Sequence, residues 1–314
     1  MSQKSFLSAL IAKVGLGSQG SKASSAGGSE ALIASLLNMA WFVEARDPYT
    51  GGHLWRVSRY SRMVAEQAGL GRQEAARIGL GGFLHDLGKI AVPDAILRKA
   101  GKLTDDEYAV IKTHPSVGSR MLAGHPLGHL VEDAVLHHHE RPDGLGYPFG
   151  RSAAGLTDMA LVVGVCDAFD AMTSHRPYRA GMPIEKAIAI ISGEAGKQFD
   201  ARFSSSLASL AKAGELEHVA GHSDEGIPLQ SCPNCGPTLA LARDSQPGKL
   251  IYCRNCSGQF KLASDGGKLV AEPTGKMGGP ADLMPELDHE LIKHTIREAV
   301  AELPLSLELE GHRT

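Results

Sequence analysis

The chain has 314 residues, 43% of them hydrophobic and 21% charged, with a formal net charge of −3. That length can bury a substantial core in one large domain or two unequal ones, and the near-balanced charge gives no basic footprint for nucleic acid. No stretch approaches the roughly 18 uninterrupted apolar residues of a membrane-crossing helix.

Residues 1–29 are expected to be a flexible arm. Residues 6–14 are apolar but interrupted by Lys13 and followed by no clean cleavage site, so the chain reads as cytoplasmic. Residues 15–29 are mostly Gly, Ser and Ala, a composition that cannot order itself. Residues 30–222 read as one helical domain. Helical runs are expected over 31–45, which stops near Asp47-Pro48, and over 54–68, where Val57, Tyr60, Met63 and Val64 recur at three- and four-residue steps. Residues 74–87 follow, then a capping box of Thr104 and Glu107, then runs over 130–139, 157–172 and 183–192. No alternation of period two interrupts them, so this part is all-α. Residues 229–270 form a small β-rich module, with short apolar runs at 238–242 and 249–252 beside cysteine pairs. A Gly/Pro-rich linker and a C-terminal amphipathic helix are expected over 271–314. Leu287, Leu291, Ile292, Ile296 and Val300 make one apolar side of that helix, read as a packing face, with a homodimer seam as the alternative.

The candidate chemistry lies in His and Asp residues scattered over the helical domain: His53, His85-Asp86, His114, His137-His138-His139 and Asp167. Imidazole and carboxylate ligands suit iron, manganese or zinc, and their dispersal fits several helices converging on one site. An adjacent His-Asp pair is useful because the imidazole binds one ion while the carboxylate bridges two. Two ions about 3.5–4 Å apart would clamp a phosphoryl oxygen and activate water for in-line attack. Residue types alone leave a bland alternative open: each histidine satisfied in a core, Asp167 a surface charge, and some chance clustering among 14 histidines.

The local sequences go further. His85-Asp-Leu-Gly-Lys89, the run His138-His-Glu-Arg-Pro-Asp-Gly-Leu-Gly-Tyr-Pro148, and Asp167 followed by Arg176-Pro-Tyr-Arg179 closely resemble the HD-GYP family. So do Asp47-Pro-Tyr-Thr-Gly-Gly-His53, Lys99 to Thr104 and His114-Pro115, in the same order, over about residues 44–200. This is the branch of the HD-superfamily metal phosphohydrolases that degrades cyclic di-GMP. The resemblance implies an HD-domain helical bundle with an HD-GYP extension. It implies two divalent metals, iron, manganese or zinc, held by His53, His85, Asp86, His114, His138, His139 and Asp167. Asp86 would bridge, with His53, His85 and Asp167 on one ion and His114, His138 and His139 on the other. Lys89 would approach the scissile phosphate as a catalytic group, and Arg176 and Arg179 would grip phosphates. The reaction implied is hydrolysis of cyclic di-GMP to pGpG, with GMP as a further product. Another cyclic dinucleotide or nucleotide as substrate, or a non-catalytic cyclic di-GMP receptor or scaffold, are the alternatives.

His137 is expected to support the site from outside the ligand set, and Asp143 to cap the turn leading into residues 144–148. That loop is linked in the family to protein partners. A third metal in some relatives rests on a Glu four residues before the first histidine. Tyr49 stands there, a poor ligand. Glu44 is not an obvious replacement, because nine residues of helix would turn it to roughly the far face from His53 and Pro48 intervenes.

Cys232-Pro-Asn-Cys235 and Cys253-Arg-Asn-Cys256 are two C-x-x-C knuckles separated by 17 residues. That spacing is the signature of a closed, tetrahedral structural zinc site, and the module looks like a zinc ribbon. Its modest basic surplus is partly offset by the negative charge of a zinc ion held by four thiolates, so docking to protein is favoured over nucleic acid. Cys166 reads as a buried core thiol.

Overall fold

The computed structural model describes residues 25–46, 52–99, 101–174, 181–225, 227–236, 238–239, 241, 244–284 and 289–303. Most of the expected arm, Tyr49, and both arginines of the 176–179 motif lie outside the described residues.

The first helix, α1 (Ser25–Glu44), begins six residues before the expected start at residue 31. Once a helix is nucleated, each added residue gains a backbone hydrogen bond, so the Gly-Ser stretch is carried along. Its stripe of Ile33, Leu36, Leu37, Ala40 and Trp41 is buried, as three- and four-residue spacing requires. Helix α2 (His53–Gln67) packs against α3 (Arg72–Leu84) and, through the edge-to-face pair Tyr60–Phe169 at 5.0 Å, against a later helix. After α3 the chain tightens into a 3-10 turn at Leu87–Ala91. Short α4 (Asp94–Leu97) and α5 (Asp105–Ile111) follow. The capping box at α5 is complete: Glu107 N donates to Thr104 Oγ1 at 3.2 Å, and Thr104 N to Glu107 Oε2 at 2.7 Å.

Helices α6 (His114–Leu122) and α7 (Glu132–His137) lead to α8 (Asp158–Thr173), whose Val162, Val163, Cys166 and Phe169 are buried. The buried Cys166 matches its expected core role. Helices α9 (Ile184–Gly193) and α10 (Ala201–Ala213) complete the domain, α10 being capped by Asp200, which accepts from the N–H groups of Arg202 and Phe203. The α6 and α10 segments were not singled out from periodicity.

Beyond the helices lie β1 (His222–Asp224) paired with β2 (Ile227–Pro228), then β3 (Gln230–Ser231) paired with β4 (Thr238–Leu239). An antiparallel sheet follows, ordered β5 (Leu250–Tyr252), β6 (Gly258–Asp265), β7 (Lys268–Met277). The expected linker from residue 271 is therefore corrected: residues 268–277 are a strand. Gly266-Gly267 is a two-residue hairpin turn, not the start of a linker, because such a turn needs residues tolerant of positive φ.

The last helix, α11 (His289–Glu302), buries Leu291, Ile292, Ile296 and Ala299 in the same core as α1 and α3. Its expected packing face is thus used within the chain. Among the described residues no helix is long and apolar enough to cross a membrane.

Candidate metal centre

The scattered histidines and aspartates arrive at one place from six elements. His53 opens α2, His85 and Asp86 join α3 to the 3-10 turn, His114 opens α6, His138 and His139 follow α7, and Asp167 lies within α8. Gly88 makes this convergence possible. A Cβ there would stand 1.8 Å from the His114 carbonyl oxygen and 2.5 Å from Gly118 N, so only glycine lets α6 lie against the turn after Asp86.

The two oxygens of Asp86 face different imidazoles. Oδ2 is 3.5 Å from His53 Nε2 and 3.4 Å from His85 Nε2, while Oδ1 is 3.4 Å from His114 Nε2 and 4.0 Å from His138 Nε2. Asp167 Oδ1 is 3.6 Å from His53 Nε2 and 3.7 Å from His85 Nε2. The donor atoms of His114, His138 and His139 lie within 4.8 Å of one another, as do those of His53, His85 and Asp86. Ligands each roughly 2.1 Å from an ion stand about 3–3.5 Å apart, so both groups have the spacing of a coordination shell.

Four of the five rings are oriented by a contact at Nδ1. His85 Nδ1 donates to Gly82 O at 2.7 Å, His114 Nδ1 to Ile111 O at 2.8 Å, and His138 Nδ1 to Ala134 O at 2.8 Å. His53 Nδ1 meets Asp170 Oδ2 at 2.8 Å. With Nδ1 engaged as donor, the Nε2 lone pair of the neutral ring points inward. His114 Nε2 and His138 Nε2 then face each other at 3.2 Å, and His85 Nε2 and Asp86 Oδ1 are buried with no hydrogen-bond partner. Buried lone pairs converging without donors need a cation, and this donor set fits one on each side of Asp86.

Electrostatics agree with that division. Burial pushes His114 down to about 4 and His139 down to about 3, and His138 falls well below its ordinary value for the same reason, so all three are neutral donors at neutral pH. Burial would also lower His85, but Asp86 and Asp167 outweigh it and raise the ring to about 10, so without a cation the ring holds a proton that a bound metal would displace. Burial opposes ionisation of Asp86, yet Lys89 and His85 hold it well below the carboxylate range.

A profile of the HD domain family matches residues 39–203, more than half of the chain. The chain belongs to the HD domain family. It is 40% identical over 189 residues to the cyclic di-GMP phosphodiesterase response regulator RpfG of Xanthomonas campestris, covering 60% of this chain and 50% of that one. It is 44% identical over 147 residues to a cyclic di-GMP phosphodiesterase of Pseudomonas aeruginosa, covering 46% and 36%. It is 38% identical over 150 residues to a 3'3'-cGAMP-specific phosphodiesterase of Vibrio cholerae, covering 48% and 32%. The chain thus spans half or less of the length of these relatives.

In this HD domain, Lys89 Nζ stands 2.5 Å from Asp86 Oδ2, at the edge of a cleft of about 450 Å³. His114, His138, His139 and Asp167 line the same cleft, with Tyr108 and Tyr147 on its walls. The loop after the histidine pair is held by Glu140, whose carboxylate accepts from Phe149 N at 2.7 Å and Arg151 N at 2.9 Å. Asp143 accepts from Leu145 N at 3.0 Å, the expected turn cap. Tyr147 is thereby stacked on His139, centroids 4.7 Å apart at 26°. His137 is buried and belongs to neither donor group, its ring 5.9 Å from Phe149.

Three contributors were missed. Asp170 holds His53 and sits one turn beyond Asp167, so helical spacing was the available signal. Arg56, one turn beyond His53, donates to Asp170 from Nε at 2.6 Å. Glu44 corrects the helical-wheel argument: its Oε1 accepts Leu54 N at 3.0 Å, and it lines a small void with His53, Asp86 and Lys89. The chain breaks from helix after Glu44, so the angle counted along a continuous helix does not apply.

The four knuckle cysteines form a separate group. Cys232 Sγ is 3.7 Å from Cys256 Sγ, and Cys235 Sγ is 3.6 Å from Cys253 Sγ. None is in a disulfide. Four sulfurs each about 2.3 Å from a tetrahedral zinc stand roughly 3.8 Å apart, so this donor set fits that ion.

Proposed function

We propose that this chain is a metal-dependent phosphodiesterase that opens cyclic di-GMP to pGpG. The observation that carries the proposal is the division of Asp86, one oxygen toward His53 and His85 and the other toward His114 and His138. Such a carboxylate suits a bridge between two ions, with Asp167 completing the first group and His139 the second. Iron, manganese or zinc bound there would supply Lewis acidity toward a phosphoryl oxygen and lower the pKa of water. The chain's own residues do the rest. Lys89 places a positive charge beside Asp86, where it neutralises charge at phosphorus or protonates the departing 3′ oxygen. Arg176 and Arg179 are assigned to the phosphates from their motif. The cleft beside the ligands gives a dinucleotide room and partial exclusion of water.

Residues 30–222 form the catalytic unit, and the four cysteines hold one structural zinc that closes residues 229–277 as a ribbon. Protein partners are assigned to the 144–148 loop or the ribbon, and the working compartment to the cytoplasm. A second reading, turnover of another cyclic dinucleotide, draws on the likeness to the cGAMP-specific relative. The intact donor set speaks against a receptor without activity.

The test is an anaerobic assay of the metal-loaded full chain with cyclic di-GMP, 3'3'-cGAMP and cyclic di-AMP. Cyclic di-GMP should turn over fastest, and Asp86→Ala should abolish all turnover. Faster cGAMP cleavage would reverse the substrate choice. No turnover of any of the three with both metals bound would sink the enzymatic assignment.

A further inference from the structure

Two hydrogen-bonded paths connect the cysteine-rich module with the His53 end of the centre. In the first, Arg254, set between Cys253 and Cys256, donates from Nη1 to the carbonyl of Ala45 at 2.7 Å. Ala45 follows Glu44, whose carboxylate receives the backbone N–H of Leu54, the neighbour of His53. In the second, β1, which precedes the module and is tied to it by Ser223, presents the His222 carbonyl to Arg56 Nη1 at 2.8 Å, and the same guanidinium binds Asp170. Asp170 in turn meets His53 Nδ1 at 2.8 Å. Arg56 and Asp170 are each 1% exposed, so this path is no solvated surface pair.

Between the two paths the backbones themselves touch. Gly52, the residue before His53, has φ +74°, and a Cβ on it would fall 2.4 Å from Ser223 Cα. Ser223 Oγ also donates to Leu241 O at 3.4 Å, tying β1 to the segment after β4. The other end of the centre is anchored differently. His114 and His138 are oriented by Ile111 O and Ala134 O, both within the helical domain.

We propose that the cysteine-rich module is a positioning element for the His53 end of the metal centre, and that Arg254 is the positioning residue that links them. The proposal rests on the two-metal reading above. An ion held by four cysteines fixes the 253–256 knuckle and with it the origin of the Arg254 side chain. Arg254 then holds the end of α1, and through Glu44 the start of α2, in place. It touches neither ligand nor substrate, so its effect is on where His53 stands. Groups hydrogen-bonded directly to a ligand typically change metal affinity about 10–100-fold, and Arg254, acting through further links, is expected at the lower end of that range.

The test titrates Mn²⁺ into the full chain, stripped at the helical site and carrying one zinc per chain, with calorimetry reading each binding step. Arg254→Met keeps the length of the stem and removes the donor. It should weaken one of the two Mn²⁺ steps about tenfold or more and leave the other within about twofold. Arg254→Lys, which can still donate to the Ala45 carbonyl, should recover most of the loss. Zinc content and melting temperature are measured on every variant. Unchanged binding at both steps, or equal weakening at both, would overturn the proposal. Should the wild-type chain bind fewer than two Mn²⁺, the two-metal reading falls with it, a result distinct from a wild type with two steps and an indifferent Arg254→Met.

Discussion

At Asp86, burial and charge work against each other. A carboxylate taken from water resists ionisation, yet an ammonium and several imidazoles surround it and keep it charged. Lys89 is the nearest of these cations and lies on the cleft side. Its replacement separates two roles. Lys89→Ala should lower kcat by about 10²–10⁴-fold, the range for a lost acid–base group, with metal content by elemental analysis unchanged. A loss of metal in parallel with activity would instead make Lys89 part of the centre's framework. At this scale the candidate donors were legible, but residue types alone left satisfied core histidines as an alternative, and it was the order of the motifs that singled out the set. The role of Asp170 was not legible. Its spacing from Asp167 placed it on a shared helix face, but its partner His53 lies 117 residues away.

The helix α11 shows what an element adds. Its apolar stripe was readable from spacing, whereas its seat against α1 and α3 was not. Polar contacts pin that seat: Arg59 binds Glu298 at 2.9 Å, and Arg62 and Arg72 both bind Glu302, at 2.9 and 3.0 Å. Burial would raise the Glu302 carboxyl, but the two guanidiniums bring it below its ordinary value. A carboxyl lowered on folding contributes stability above its unfolded pKa of about 4.3, and that contribution is lost as pH falls through the folded value. Glu302→Gln should therefore cost about 1–2 kcal/mol in urea melts at pH 7. The difference from wild type should shrink as the pH falls below about 4. A gap that stays constant across that range would mean the cost is one of shape, not charge. The strand β7 makes the complementary point. Residues 268–277 hold Pro273 and Gly275, and composition alone reads them as linker, but pairing with β6 gives their backbone groups partners.

Over the whole molecule, two cores of very different size coexist. The helical core draws on α1 to α3, α6 to α10 and α11, whereas the module's cluster is Cys232, Leu239, Cys253 and Phe260 with a few half-buried neighbours, Leu241 and Leu262 being buried as well. So small a cluster does little to offset the chain entropy of ordering some fifty residues, so on the proposed reading the ion held by the four cysteines carries much of the module's fold. Removing zinc with a thiol-directed reagent should open residues 229–277 to limited proteolysis while the helical domain stays protected. Protection of both after zinc loss would show that the sheet stands without its ion.

Residue chemistry and local spacing determined the ligand types, the helical character, the capping box at Thr104 and the two cysteine knuckles, because these depend on neighbours within a few residues. Only the tertiary structure decided which oxygen of Asp86 meets which imidazole, that Glu44 turns back onto Leu54, and that Arg254 reaches Ala45. Those contacts join residues that packing alone brings together, and their distances follow from how whole helices and strands settle against one another.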